Sequence, residues 1–440
     1  MNTDPREILN NSDMSRMQHL VVAMTVALNA LDGFDVMAIS FASPGIAMEW
    51  GTTTVGLGFI LSMELWGMAI GSIALGGVAD HIGRKPTIMG CLFAMVIGMY
   101  MVTTTNSLVV LGAWRVITGL GIGGMLAAIN AQAAEFSNQK SRPMAIAIMA
   151  AGYPIGGVVG GTVVSNLLQF YDWRSVFYFG TAATVLMIPL VHFYMPESVH
   201  WLVRKQPIGV LERINATMKR LGHSVIAVLP DIREEAARKT FVDIFSKTML
   251  ATTLLSAAAY FLHITTFYFI LKWVPKLVVD MGFSPSAAGG VLTWASVGGA
   301  IGCLSFGFLT RFFDVKKLTL FFFVCSWLAT CFFGRVTPDL FVLSASVAIA
   351  GYFINSGIVG MYAIVAQVFP THVRASGTGF TIGVGRGGSV LSPIIAGFLM
   401  QGGMELPVVA IIMGTGSILA AGALLFLKID SNLPKGGSTN

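Results

Sequence analysis

The chain has 440 residues, of which 55% are hydrophobic and only 11% charged. Soluble domains carry roughly 25% charged residues, so a water-soluble globular protein is excluded. The formal charge of +6 is distributed as a topology signal rather than as a basic patch, which argues against a nucleic-acid binder.

The N-terminal stretch MNTDPREILNNSDMSRMQ is polar and mixed in charge, and does not read as a signal peptide. About 20 apolar residues cross a hydrocarbon core of ~30 Å. By that rule twelve spans follow: 18–42, 57–79, 87–105, 108–134, 144–168, 175–195, 248–271, 287–310, 318–334, 338–365, 376–400 and 407–427. Runs this long lack the alternation of lipid-facing strands, so helices must satisfy the backbone and the fold class is an all-α integral membrane protein. With the N-terminus taken as cytoplasmic, 21 of the 27 Lys and Arg fall in cytoplasmic segments. Four lie outside, namely Arg174, Lys272, Lys276 and Arg335, while Arg115 and Arg386 sit within spans. The positive-inside rule then places both termini and the central loop in the cytoplasm; the membrane expected is the inner membrane of a bacterial cell. Cys91, Cys303, Cys325 and Cys331 fall in spans without metal-ligand spacing and read as packing residues.

These spans divide the chain into a tail (1–17), a six-helix half (18–196), a charged central loop (197–247), a second six-helix half (248–427) and a C-terminal tail (428–440). The central loop reads as a solvated linker with short helices. The halves look like repeats. GGVADHIGRKP after span 2 matches GFLTRFFDVKK after span 8 at an offset of 231, and EFSNQKSR after span 4 matches QVFPTHVR after span 10 at 232. Parallel repeats of this kind are related by an axis along the membrane normal.

Charges inside the spans are expensive and mark function by default. Span 1 carries Asp32 and Asp35 in LNALDGFDVMAIS, three positions apart and therefore on one helix face, with Gly33 between them giving clearance for another helix. Two like charges this close in a low dielectric favour proton uptake; the alternative is a structural hydrogen-bonding pair. Glu64 lies roughly 10 Å below the outer end of span 2 and reads as interfacial. Arg115 in span 4 needs a partner, and a structural ion pair is one reading. Arg386 in TIGVGRGGSVLSP is flanked by glycines that clear space for a bidentate carboxylate contact, the alternative being carbonyl bonding in a kinked helix. His263 falls at the repeat position of Asp32 and either binds substrate, relays a proton or is a satisfied buried histidine. Among the span aromatics Tyr153 and Trp294, beside glycine-rich segments, are the candidates to hold a ring. Asn130 and Asn355 are polar groups in corresponding spans, either substrate donors or helix–helix glue.

Gly76, Asp80, Gly83, Arg84 and Lys85 after span 2, Arg115 with Gly119 and Gly123 in span 4, and PESVHWL at the end of span 6 together resemble the major facilitator superfamily. Within it, DGFD at 32–35 is similar to the D-G-x-D mark of the aromatic acid:proton symporter family, and the similarity runs the length of the chain. The resemblance implies two six-helix halves around a central cavity. It also implies a conformational latch at Gly76–Lys85, proton coupling by Asp32 and Asp35, and Arg115 facing those carboxylates or the substrate anion. GYPIGG at 152–157 is similar to an antiporter signature but lacks its usual spacing.

The formal charge of the deep groups, three acids against Arg115 and Arg386, is −1. An incoming anion makes it more negative and so favours proton uptake. The expected function is import of a small aromatic carboxylic acid with protons by alternating access, in a monomeric carrier with no cofactor beyond the coupling proton. The alternatives are a proton-coupled exporter of amphipathic compounds and a non-transporting aromatic-acid sensor. No nucleophile–base pair or nucleotide loop supports an enzyme.

Overall fold

The computed structural model describes residues 4–230, 241–370 and 373–427, without the side chains of 241, 242, 374 and 375. The C-terminal tail, the 231–240 part of the central loop and positions 371–372 of the second repeat signature lie outside the described residues. In chain order the helices are α1 (Pro5–Asn11), α2 (Arg16–Trp50), α3 (Thr54–Ile82), α4 (Arg84–Thr103), α5 (Leu108–Glu135), α6 (Arg142–Leu167), α7 (Arg174–Tyr194), α8 (Val199–Lys205), α9 (Val210–Arg220), α10 (Leu250–Asp280), α11 (Pro285–Leu309), α12 (Val315–Phe333), α13 (Leu340–Val368), α14 (Arg374–Gln401) and α15 (Leu406–Phe426). Among the described residues twelve of these are long and apolar enough to cross a membrane, and no strand is present. This is the all-helical, twelve-span protein expected from hydropathy.

Local chemistry sets the helix starts. Ser15 and Gln18 form a reciprocal capping box at α2, and the side chains of Asp314 and Asp339 accept from the first turns of α12 and α13. Two helices outrun the apolar pattern. α2 continues through Pro44 to Trp50, about 52 Å at 1.5 Å per residue. α10 continues to Asp280 and carries Lys272 into the protein, where it is fully buried. Lys272 is therefore no loop cation, and the formal charge of the deep groups moves from −1 to zero.

The chain divides into two compact units, Met1–Glu235 with Val278–Thr293, and Ala236–Leu277 with Trp294–Asn440. Inside each, glycine seams let helix backbones touch. In the first, a Cβ on Gly67 or Gly71 of α3 would strike the Val116 or Leu120 carbonyl of α5, and one on Gly119 or Gly123 of α5 would strike the Glu64 or Met68 carbonyl of α3. In the second, Gly298 and Gly302 of α11 meet the Ala348 and Tyr352 carbonyls of α13, and Gly351 meets Ala295. These are the same positions at the repeat offsets of 231 and 232, and small residues permit such approach in both. GYPIGG is likewise a seam: Gly152 and Gly156 of α6 lie against the Val26 and Ala30 carbonyls of α2, and Gly33 lies against Tyr153.

Much of the central loop is more than a solvated linker. Val199, Trp201, Leu202, Val210, Ile214 and Met218 of α8 and α9 are buried together with Leu9 of α1, Val21 of α2 and Phe136. The charges of these short helices face out, and their apolar stripe closes one end of the first unit.

Candidate functional site

The deepest polar group of the first unit is built by α2, α3, α5 and α7. The α3–α5 seam places Glu64 and Arg115 opposite one another, and their side chains pair at 2.5 Å with no exposure to solvent. Arg115 Nη2 also donates to the main-chain carbonyl of Asp35 at 2.9 Å. Its Nη1 lies 3.0 Å from Met99 Sδ, and its guanidinium carbon lies 5.4 Å from the centre of the Phe177 ring. Of the readings open for Arg115, the structural ion pair with Glu64 is present, and Arg115 also reaches Asp35, through that residue's carbonyl and through the field of its guanidinium on the carboxylate. Glu64 is corrected, from an interfacial residue to a fully buried partner. The two lie 51 positions apart in sequence, so only the helix packing reveals the pair.

Asp35 has no exposed surface, and among the described residues neither carboxylate oxygen has a hydrogen-bond partner. Gly180 of α7 makes room for it, since a Cβ there would stand 3.3 Å from Asp35 Oδ1. Asp32 is 2% exposed and lies within electrostatic reach of Cys91 on α4. An ionised carboxylate held in such a place costs several kcal/mol unless it is paired or neutralised (order of magnitude).

At the end of the first unit the Gly76–Lys85 motif is knitted into a network. Gly83 has φ 112°, a backbone conformation suited to glycine. Arg84 pairs with Asp80 at 2.9 Å and with Glu135 at 3.1 Å, and Arg204 of α8 pairs with Asp80 at 2.8 Å. Glu197 accepts from the backbone N–H groups of Arg84, Lys85 and Ser198. Burial nevertheless holds the Glu197 carboxyl above its ordinary range. Lys85 Nζ donates to the His192 carbonyl at 2.6 Å, Ser198 donates to Glu135, and Trp201 Nε1 donates to the Asp80 carbonyl. A Cβ on Gly76 would make only ordinary contact with Ala127, at 3.7 Å. The PESVHWL stretch is thus the second half of the same network, a link that neither motif announces alone.

In the second unit Arg386 of α14 is half-buried, and no salt bridge among the described residues includes it. Its neighbour Gly385 lies flat on the Tyr260 ring, where a Cβ would stand 1.9 Å from Cδ1. His263 is fully buried between Ser417 Oγ and the Ile354 carbonyl, both at 2.9 Å, and stacks on Phe323 at 4.3 Å. Of its open readings the structure favours the satisfied core histidine, because both ring nitrogens are occupied. Asn355 donates to the Gly351 carbonyl at 2.9 Å and packs on Gly299, as helix glue does. Asn130 is exposed and bonds back to Leu126 at 3.4 Å. Tyr153 is half-buried at the α2 seam, and Trp294 is 52% exposed. The structure therefore gathers Asp32 and Asp35 near Glu64 and Arg115 in one unit, and leaves Arg386, His263, Asn355 and Trp294 in the other.

Sequence comparison agrees with this architecture. The sequence model of the Major Facilitator Superfamily matches residues 25–310 and, in a second match, 256–439. The chain is similar to the 4-hydroxybenzoate transporter PcaK of Pseudomonas aeruginosa, 27% identical over 98% of the chain and 97% of that protein. It is also similar to a gallate transporter of Pseudomonas putida, 24% identical over 96% and 94%. A benzoate transport protein of Acinetobacter baylyi is 26% identical over 91% and 87%.

Proposed function

Because the chain belongs to the Major Facilitator Superfamily, we propose that this multi-pass membrane protein imports a small aromatic carboxylic acid together with protons by alternating access. The observation that carries the proton part is Asp35, a fully buried carboxylate without a hydrogen-bond donor among the described residues. A proton is the cheapest neutraliser for such a group, and Asp32 one helical turn away shares the task. Deep charges are otherwise balanced three against three, so a bound acid anion is the excess negative charge that favours protonation of the pair. Linkage makes the effect reciprocal: protonation favours the anion. In this reading protons and acid enter together and both leave to the more alkaline cytoplasm, where the two chain termini lie.

The ring acid is supported by the relatives, whose names specify 4-hydroxybenzoate, gallate and benzoate. Arg386 is the carboxylate anchor, a fork without an acidic partner among the described residues. In proteoliposomes with an inward proton gradient, labelled 4-hydroxybenzoate accumulates above protein-free vesicles, and the medium outside turns alkaline as it does so. Uptake that ignores the gradient, or that acidifies the medium, removes the symport reading. Arg386→Lys keeps the charge but loses the fork, and weakens apparent affinity roughly tenfold, the worth of one charge-assisted bond. An unchanged affinity takes the anchor away from Arg386.

A further inference from the structure

We propose that Tyr260 and Tyr362 complete, with Arg386, a carboxylate clasp inside the second unit; the proposal rests on the reading of the chain as an organic-acid carrier. Three helices bring the groups together. Tyr260 comes from α10, Tyr362 from α13 and Arg386 from α14. The phenol oxygens are 3.0 Å apart, and the rings tilt by 36° with centroids 5.7 Å apart. The Tyr260 ring fills the notch that Gly385 leaves, one residue from the guanidinium, and the Arg386 charge acts on its phenol. Tyr260 is 5% exposed whereas Tyr362 is 45% exposed, so the pair is anchored at one end and open at the other.

Proton counting gives the pair its use. Each phenol has one proton to donate and lone pairs to accept with. A bond between two phenols consumes one proton and leaves one O–H pointing outward from the pair. An O–H and a guanidinium in one neighbourhood suit an acceptor-only, negatively charged group, and contacts to both are then charge-assisted. At the matched positions of the first half stand Asn29, Asn130 and Pro154, which carry no charge. Asn29 spends its amide on the Met149 carbonyl. The clasp therefore belongs to one repeat and is no by-product of the fold.

The test uses the purified full-length protein and two probes, benzoate and 4-hydroxybenzoate, at one pH where both are ionised. Tyr260→Phe and Tyr362→Phe each weaken both acids by the same factor, roughly tenfold. The double variant is little worse than the worse single, because the phenols act as one unit. Loss confined to 4-hydroxybenzoate overturns the clasp, since it assigns the pair to the ring hydroxyl. Wild-type affinity in both variants also overturns it, while leaving the carrier reading intact. If the unaltered protein binds neither acid, the carrier reading falls and the clasp with it. Thermal unfolding of each variant checks the fold, and Tyr362→Phe, at the half-exposed position, carries the test if Tyr260→Phe is unstable.

Discussion

Arg115→Met lowers the unfolding free energy by about 3–5 kcal/mol, and adding Glu64→Leu restores most of it. The single substitution strands Glu64 at zero exposure without its cation. The carboxylate must then stay charged in an apolar seam or take up a proton, and either outcome destabilises. The double variant removes both charges and keeps similar volume, and buried ion pairs replaced in this way are often neutral or better. The protein supplies a precedent: at the matched positions of the second half the residues are Ala295 and Val347, and the same glycine seam closes over them. Thermal unfolding of the purified variants reads the effect. A double variant as unstable as the single would show that shape at this seam, rather than charge compensation, holds α3 to α5.

The second large effect is on energy coupling. With a two-unit inward pH gradient and one proton per acid anion, the unaltered protein concentrates labelled benzoate up to about a hundredfold, since each pH unit supplies 1.36 kcal/mol and a factor of ten. Asp35→Asn reduces this ratio to the level of protein-free vesicles, which must be run in parallel because a weak acid also crosses lipid in its neutral form. Asparagine keeps the shape of the protonated acid, so exchange of labelled for unlabelled benzoate persists in the same variant. Full accumulation by Asp35→Asn would remove Asp35 from coupling and leave Asp32 to be tested in its place. Loss of exchange as well would make Asp35 a structural group.

The spans were legible because a membrane leaves the backbone no choice but helix, and apolar length alone then marks each crossing. Legibility failed where polar side chains sit on helix that continues regardless. Glu49 and Pro44 hid the end of α2, and Lys272 and Lys276 hid the end of α10. The glycines were half legible: Gly33 announced a close approach, but its partner Tyr153 is 120 residues away. Arg115 announced a need for a partner without saying which, because rotation about the helix axis decides between an acid on α2 and one on α3. At His263 the repeat offset gave the right position and a misleading analogy. Its Asp32 counterpart is a candidate for titration, whereas His263 has both nitrogens committed. The network joining Asp80, Arg84 and Glu197 was present as two separate motifs, with nothing in either to show that one grips the other.

The α2–α6 seam bears on what the proposed protonation of Asp35 would do to the rest of the first unit. Where Gly156 rests on the Ala30 carbonyl and Gly33 on the Tyr153 carbonyl, backbone touches backbone directly, and a Cβ on either glycine would strike it. Such a joint transmits force and absorbs little of it. Under the proposed symport, neutralising a group on α2 would therefore act on α2 and α6 together as one stiff lever, with a stroke set by the length of the rods rather than by the softness of their contact.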